Sequence, residues 1–312
     1  MRRYNIYIIA SFLFASVCQQ ASAQQDAMYS QYMFNTLAIN PAYAGSRNVV
    51  SATALYRNQW VGIAGAPETA TFSIDAPLNN KRMGLGFQAY SDKAGIIKNN
   101  GASASYAYRL RMDKATLSFG MQGGIRQYKA DYTSVNLDQS GTTIDPAFAN
   151  NIDKVLFDIS AGLYYNTDRF YLGFSAMDLL KNKFTNYQSP GMNLGNREEV
   201  HMFLASGVVI PLDQDFKLKP SFLIKAVKGA PIEGDINATL WIKDIIAIGA
   251  QYRTSADLAG MLELQATPQI RLGYAYDYST TELRKYNSGS HEIMLRYEFG
   301  FKKDKFISPR YF

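Results

Sequence analysis

The stretch Glu292-Ile293-Met294-Leu295-Arg296-Tyr297-Glu298-Phe299-Gly300-Phe301 puts Ile293, Leu295, Tyr297, Phe299 and Phe301 at alternate positions, with Glu292, Met294, Arg296, Glu298 and Gly300 between them. Successive side chains of a β-strand point to opposite faces, so this is a strand with one apolar and one largely polar surface. The stretch before it repeats the pattern, with Ile270, Leu272, Tyr274, Tyr276 and Tyr278 opposite Arg271, Gly273, Ala275 and Asp277. Further back, Leu258, Leu262 and Leu264 oppose Asp257, Ala259, Met261 and Glu263, and Ile246, Ile248 and Tyr252 oppose Ala247, Gln251 and Arg253. Phe216, Leu218, Phe222 and Ile224 likewise oppose Lys217, Lys219, Ser221 and Lys225. Nearer the amino end, Tyr106, Tyr108 and Leu110 alternate with Ser105, Ala107, Arg109 and Arg111. Beyond Asp113-Lys114, Phe119, Met121 and Ile125 alternate with Ser118, Gly120, Gln122 and Arg126, and this pair of runs reads as a hairpin.

An apolar face meeting lipid and a polar face meeting a lumen is the pattern of a transmembrane barrel. No window after Gln24 holds the roughly 20 apolar residues a membrane helix needs, so a membrane form of this chain must satisfy its backbone by closing a barrel. The alternation predicts an all-β fold: a single closed transmembrane antiparallel β-barrel of fourteen strands, from 48–57 to 290–301. Connection lengths support it. Short connections near Pro77-Leu78-Asn79-Asn80, Met112-Asp113-Lys114, Thr167-Asp168, Pro211-Leu212-Asp213, Lys243 and Thr267 fall on one side. The segments 128–152, 179–198, 91–100 and 279–289 fall on the other, as short periplasmic turns and longer external loops require.

The chain has 312 residues, of which 22 are Tyr and 18 Phe, a composition suited to such a barrel held as one domain. Met1-Arg2-Arg3, the apolar run Ile6 to Val17 and Ala21-Ser22-Ala23 form a signal peptide pattern over 1–23 that directs the chain to the envelope. Cys18, the single cysteine, lies in this leader, so disulfides contribute nothing to the fold expected for the processed chain. A formal charge of +6, without a Lys/Arg block, gives no footing for nucleic acid. Residues 24–47 mix Tyr29, Tyr32, Phe34 and Leu37 with polar side chains before Asn40-Pro41. They read either as an element folded under or into the barrel or as a periplasmic tail leading into the first strand. The barrel spans 48–301, and the charged segment 302–312 is expected to be a periplasmic tail.

No residue is assigned a catalytic role, and no cofactor or metal is expected. His201 and His291 are the only histidines and stand apart from any ligand cluster. Gly84-Leu85-Gly86 and Gly123-Gly124 lack the helix and lysine of a phosphate cradle and read as strand glycines that relieve crowding in the lumen or at a close approach. Arg109, Arg111, Arg126, Asp158, Glu263, Arg271, Asp277, Arg296 and Glu298 form the candidate lumen network, filling the interior by mutual pairing. Arg57, Asn58, Gln59 and Trp60 are the candidate partner surface, since Trp and Arg anchor protein interfaces, although Trp60 also suits an aromatic belt at the membrane edge.

Asp26-Ala27-Met28-Tyr29-Ser30-Gln31-Tyr32-Met33-Phe34-Asn35, followed by Ile39-Asn40-Pro41-Ala42-Tyr43-Ala44-Gly45-Ser46, resembles the PorP/SprF family of outer-membrane proteins in type IX secretion and gliding motility. Tyr56-Arg57-Asn58-Gln59-Trp60, Gly65-Ala66-Pro67, Met83-Gly84-Leu85-Gly86-Phe87 and the closing Ser308-Pro309-Arg310-Tyr311-Phe312 fit the same resemblance. It implies an outer-membrane component that assists secretion or surface attachment of a large adhesin with a C-terminal sorting domain. It also implies periplasmic or outer-membrane machinery subunits as partners, with membrane lipid or lipopolysaccharide around the barrel. The alternative function is an outer-membrane channel for a small solute.

Overall fold

The computed structural model describes residues 29–78, 81–134, 150–184, 197–254 and 256–299. The expected leader 1–23, the tail 302–312 and the middles of the two longest loops lie outside these residues. The described strands are β1 (Val50–Asn58), β2 (Glu68–Pro77), β3 (Met83–Ala94), β4 (Ile97–Arg111), β5 (Thr116–Ala130), β6 (Ile152–Asn166) and β7 (Phe170–Met177). They continue as β8 (His201–Val208, prolonged by Ile210–Pro211), β9 (Phe216–Val227), β10 (Glu233–Ile242), β11 (Ile246–Arg253), β12 (Asp257–Gln265), β13 (Ile270–Ser279) and β14 (Ser290–Phe299). Each pairs antiparallel with its sequence neighbours. The ring closes where β1 meets β14, from Val50 opposite Phe299 to Asn58 opposite His291. The result is a closed fourteen-stranded barrel whose strands bond on both edges, which is what the absence of water in a bilayer core demands.

The two faces separate by chemistry. Tyr106, Phe119, Met121, Phe157, Leu262, Leu272, Tyr274 and Leu295 are exposed on the outside, whereas Arg109, Ser118, Arg126, Glu263, Arg271, Asp277, Glu292 and Arg296 are buried. An apolar surface continuous around a barrel far exceeds what a protein in water exposes, and lipid is the medium that covers it.

Two departures from the simple pattern have physical causes. The segment 91–100, expected as an external loop, is instead a hairpin: β3 runs to Ala94, β4 starts at Ile97, and Lys93 pairs with Lys98. The outward positions there are Ser91, Lys93, Lys98 and Asn100. Alternation of polarity stops where lipid stops, while the backbone ladder goes on into water. The second departure is the break in β8 at Val209. Gly207 pairs with Ser221 and Ile210 with Leu218, so the register runs on unchanged and the break falls beside Pro220, which stands opposite Val208 and has no N–H to give to the ladder. The Val209 N–H points to the other side of the strand, where it continues the pairing with β7 by donating to the Arg169 carbonyl at 2.7 Å.

The connections at the end where β1 starts and β14 finishes are all short, running over 78–82, 112–115, 167–169, 212–215, 243–245 and 266–269. The other end carries 131–151 and 178–200 together with 59–67 and 280–289, and by the rule for such barrels it is the extracellular end. The β1–β2 and β13–β14 connections are laced together there, Val61 N–H bonding Gly289 O and Ser288 N–H bonding Val61 O.

Candidate functional site

Residues 29–47 lie inside the barrel. Tyr32, Met33, Phe34, Leu37, Ala42 and Tyr43 are almost wholly buried and join Leu55, Tyr164, Tyr171, Leu223 and Met294 of the wall in one apolar cluster. Of the segment 24–47, residues 29–47 are described, and these pack against the inner wall. The segment folds as two short 3-10 turns, Thr36–Ala38 and Pro41–Tyr43. Pro41 starts the second turn with its φ already set, and the Asn40 side chain caps it by accepting from Ala42 N–H at 2.9 Å.

The wall holds this plug largely by its main chain. At the extracellular end both oxygens of Glu292 accept, from Ser30 N–H at 2.9 Å and Gln31 N–H at 2.8 Å. The Ser30 hydroxyl donates to Asp277 at 2.6 Å, and Arg57 ties the two acids together at 2.6 Å and 3.0 Å. Beside them Arg253 bonds Asp235 at 3.0 Å and reaches the Tyr29 carbonyl at 3.3 Å. The Tyr29 hydroxyl meets Thr71 at 2.6 Å, and Asn237 donates to the Tyr32 hydroxyl at 2.7 Å.

Midway, Arg296 donates to the Phe34 carbonyl, Ser175 to the Ile39 carbonyl, and Ser73 to Asn35 Oδ1 at 2.8 Å. The Asn40 amide donates to Leu163 O at 2.9 Å. At the periplasmic end Asp75 accepts from Gly45 N–H at 2.8 Å, Arg109 donates to Gly45 O at 2.6 Å, and Arg47 pairs with Glu298 at 2.5 Å. The wall glycines Gly84 and Gly120 make room for this. A Cβ on Gly84 would stand 2.0 Å from the Ala44 carbonyl oxygen, and one on Gly120 2.1 Å from the Ala42 nitrogen. Plug backbone lies directly on wall backbone there, and any side chain would push them apart. Gly123, read from the sequence in the same way, has open space at its Cβ position.

The candidate network residues fall into separate groups. Asp277 belongs to the Arg57 and Glu292 group, Glu298 pairs with Arg47, and Arg109 and Arg296 hold plug carbonyls. Glu263 and Arg271 are 3.7 Å apart in a layer where Arg271 lies over the Trp241 ring at 4.8 Å. Arg126 pairs with Glu198 from the β7–β8 connection. Arg111 is exposed at the end of β4, and Asp158, half-buried, accepts from the N–H of its neighbour Ile159 at 2.9 Å.

One surface residue needs correction. Arg57 is wholly buried in the lumen, because β1 keeps its alternation to Asn58 and position 57 falls on the inward side. Asn58, Gln59 and Trp60 are half-buried, and the Trp60 N–H is held by the Ser290 hydroxyl at 3.1 Å. Glu292 and Arg253 stood in the inward series of the sequence without being singled out, and Asp75, Asp235 and Asn40 carried no signal of their role. Plug contact is what distinguishes them, and it has no periodicity.

A closed barrel with an amino-terminal plug, apolar outside and charge-paired within, is an integral protein of the bacterial outer membrane. Residues 21–297 match the family described as the type IX secretion system membrane protein PorP/SprF, and the chain belongs to that family. It is thus an outer-membrane component of type IX secretion. No curated protein matches the chain. Among solved structures it is similar to the CymD monoaromatic hydrocarbon channel, with 11% identity, TM-score 0.48, and coverage of 90% of this chain and 95% of that one. It is also similar to a Pseudomonas aeruginosa FadL homologue, with 12% identity, TM-score 0.47, and coverage of 90% and 96%. Omp33 of Acinetobacter baumannii matches at 9% identity, TM-score 0.45, and coverage of 80% and 96%. At these values the likenesses carry no argument about function.

Proposed function

We propose that this barrel acts as a docking component of type IX secretion that assists the secretion or surface attachment of a large adhesin, rather than as a route for solutes. The observation that supports this most is the plug: the lumen is filled by a segment whose backbone is bonded to the wall along its length. What remains for function are the outer surfaces. The extracellular connections, including Asn58, Gln59 and Trp60, are offered to the secreted protein, the periplasmic turns to machinery subunits, and the apolar outer face to lipid or lipopolysaccharide. The luminal charges around Arg57, Arg47, Arg109 and Arg296 are assigned to holding the plug, and no residue is given a catalytic step or a cofactor.

Affinity capture from native membranes, combined with deletion of the encoding gene and a survey of surface proteins, tests this reading. Recovery of an adhesin with a type IX sorting domain or of a machinery subunit is expected, with loss of that adhesin from the cell surface. The purified full-length barrel should show no solute-selective conductance in planar bilayers. Unchanged surface adhesins together with lost uptake of one solute would sink the proposal.

A further inference from the structure

β3, β4 and β5 carry cations where their outer face leaves the lipid at the extracellular end. Lys93 of β3 stands opposite Lys98 of β4, and Lys98 opposite Lys129 of β5. Glu68 of β2 and Asp153 of β6 close the row at its two ends. Parity places the three lysines on the outward face, in step with Phe87, Tyr106 and Met121 lower on the same strands, and all three are exposed. Paired strands lie about 4.7–4.9 Å apart, so three flexible ammonium groups in one row can converge on one ligand. Lys129 pairs with Asp153 at 3.1 Å, whereas neither Lys93 nor Lys98 is in an ion pair among the described residues. Like charges directly opposite each other on a sheet destabilise it. Lysines that guard a sheet against aggregation belong on edge strands, and β3, β4 and β5 are each paired on both sides. The row is thus left with positive charge that an anion would balance.

The wall below the row specifies the anion further. Two residues down each strand, on the order of 7 Å, stand Ser91, Asn100 and Gln127, neutral and polar, with the Ser91 hydroxyl donating to Asn100 Oδ1 at 2.7 Å. The next two rows are apolar and low. Ala89 faces Ala102, and Ala104 faces Gly123, which has open space at its Cβ position. Phe87 bounds this shallow trough on one side, and Ile125 and Phe157 bound it on the other. An apolar trough running down from a cationic row matches a molecule with acyl chains below and phosphate above. We infer that Lys93, Lys98 and Lys129 form a site for the phosphorylated saccharide headgroup of lipopolysaccharide, with an acyl chain lying over Ala89, Ala102, Ala104 and Gly123. The inference rests on the membrane placement of the barrel and not on the adhesin reading, so failure of either leaves the other standing.

The delipidated full-length barrel, held in detergent, is titrated with lipopolysaccharide purified from the same bacterium, and binding is read by native mass spectrometry. Heat-modifiable gel mobility confirms that each variant is folded. The triple change Lys93→Gln, Lys98→Gln, Lys129→Gln is expected to weaken binding at least about tenfold, since each lysine near an anionic bilayer surface contributes several-fold. The control triple Lys181→Gln, Lys183→Gln, Lys228→Gln removes the same charge from extracellular connections outside the row and should leave binding unchanged. Lipopolysaccharide stripped of its phosphates by alkaline phosphatase should bind the parent as weakly as the intact lipid binds the first triple variant. Equal binding by that variant and the parent overturns the inference, as does an equal loss in the control triple or undiminished binding of the stripped lipid. Displacement of the lipid by an equal concentration of inorganic phosphate assigns the row to a free anion and overturns it too. If the triple variant fails to fold, Lys98→Gln alone is read by the same criteria, with a several-fold loss expected.

Discussion

The outward and inward faces of the same fourteen strands are held to different standards. Outside, Leu262, Leu272 and Leu295 meet a fluid solvent that accepts any apolar shape. Inside, Glu292 is wholly buried, with Ser30, Gln31 and Arg57 as its partners. The outer face therefore specifies a class of side chain, and the inner face specifies individuals. The practical consequence is a hierarchy of mutational cost that reverses the usual rule for soluble proteins, in which the polar face is the permissive one.

The largest effect should come from Arg57→Met, which strands Asp277 and Glu292 in the lumen without their cation. A loss of about 3–5 kcal/mol is expected, read as a lower midpoint in urea unfolding of the lipid-reconstituted barrel. The triple change Arg57→Met, Glu292→Gln, Asp277→Asn should recover part of that loss. If the single change proves neutral, the two faces do not differ as argued.

Leu262→Lys tests the outer face at its most sensitive. Leu262 sits mid-strand in β12, and a lysine near the bilayer midplane is expected to cost about 2–4 kcal/mol, measured in the same assay. Gly120→Ala should cost roughly 1–3 kcal/mol by overpacking against Ala42, and should loosen the plug, seen as faster proteolysis of the amino-terminal segment in the folded barrel. Leu262→Ile closes the series. It should stay within about 0.5 kcal/mol of the parent, and a larger effect would mean that the outer face is packed against something more specific than lipid.

Much of this was legible without coordinates because alternation is a local property: a period of two survives in any stretch long enough to count, and it separated Arg271 and Asp277 from Leu272 and Tyr274 correctly. It failed at 91–100, where the outward face meets water and no longer contrasts with the inward one. It was also misapplied at Arg57, whose neighbours Asn58, Gln59 and Trp60 drew it into a surface group although its own parity pointed inward.

What the sequence by itself determined was the barrel, its polar interior and its family, because each rests on neighbours in the chain or on contiguous motifs. What only the tertiary structure decided was the position and direction of residues 29–47. The Ser30 bond to Glu292 joins positions 262 residues apart, and it exists only because β14 closes on β1 and brings the two ends of the chain around one lumen. Nothing in either stretch alone encodes that meeting. The segment has no face to alternate, its groups are satisfied by a wall built later in the chain, and the glycines that admit it, Gly84 and Gly120, look in sequence like any others in a strand.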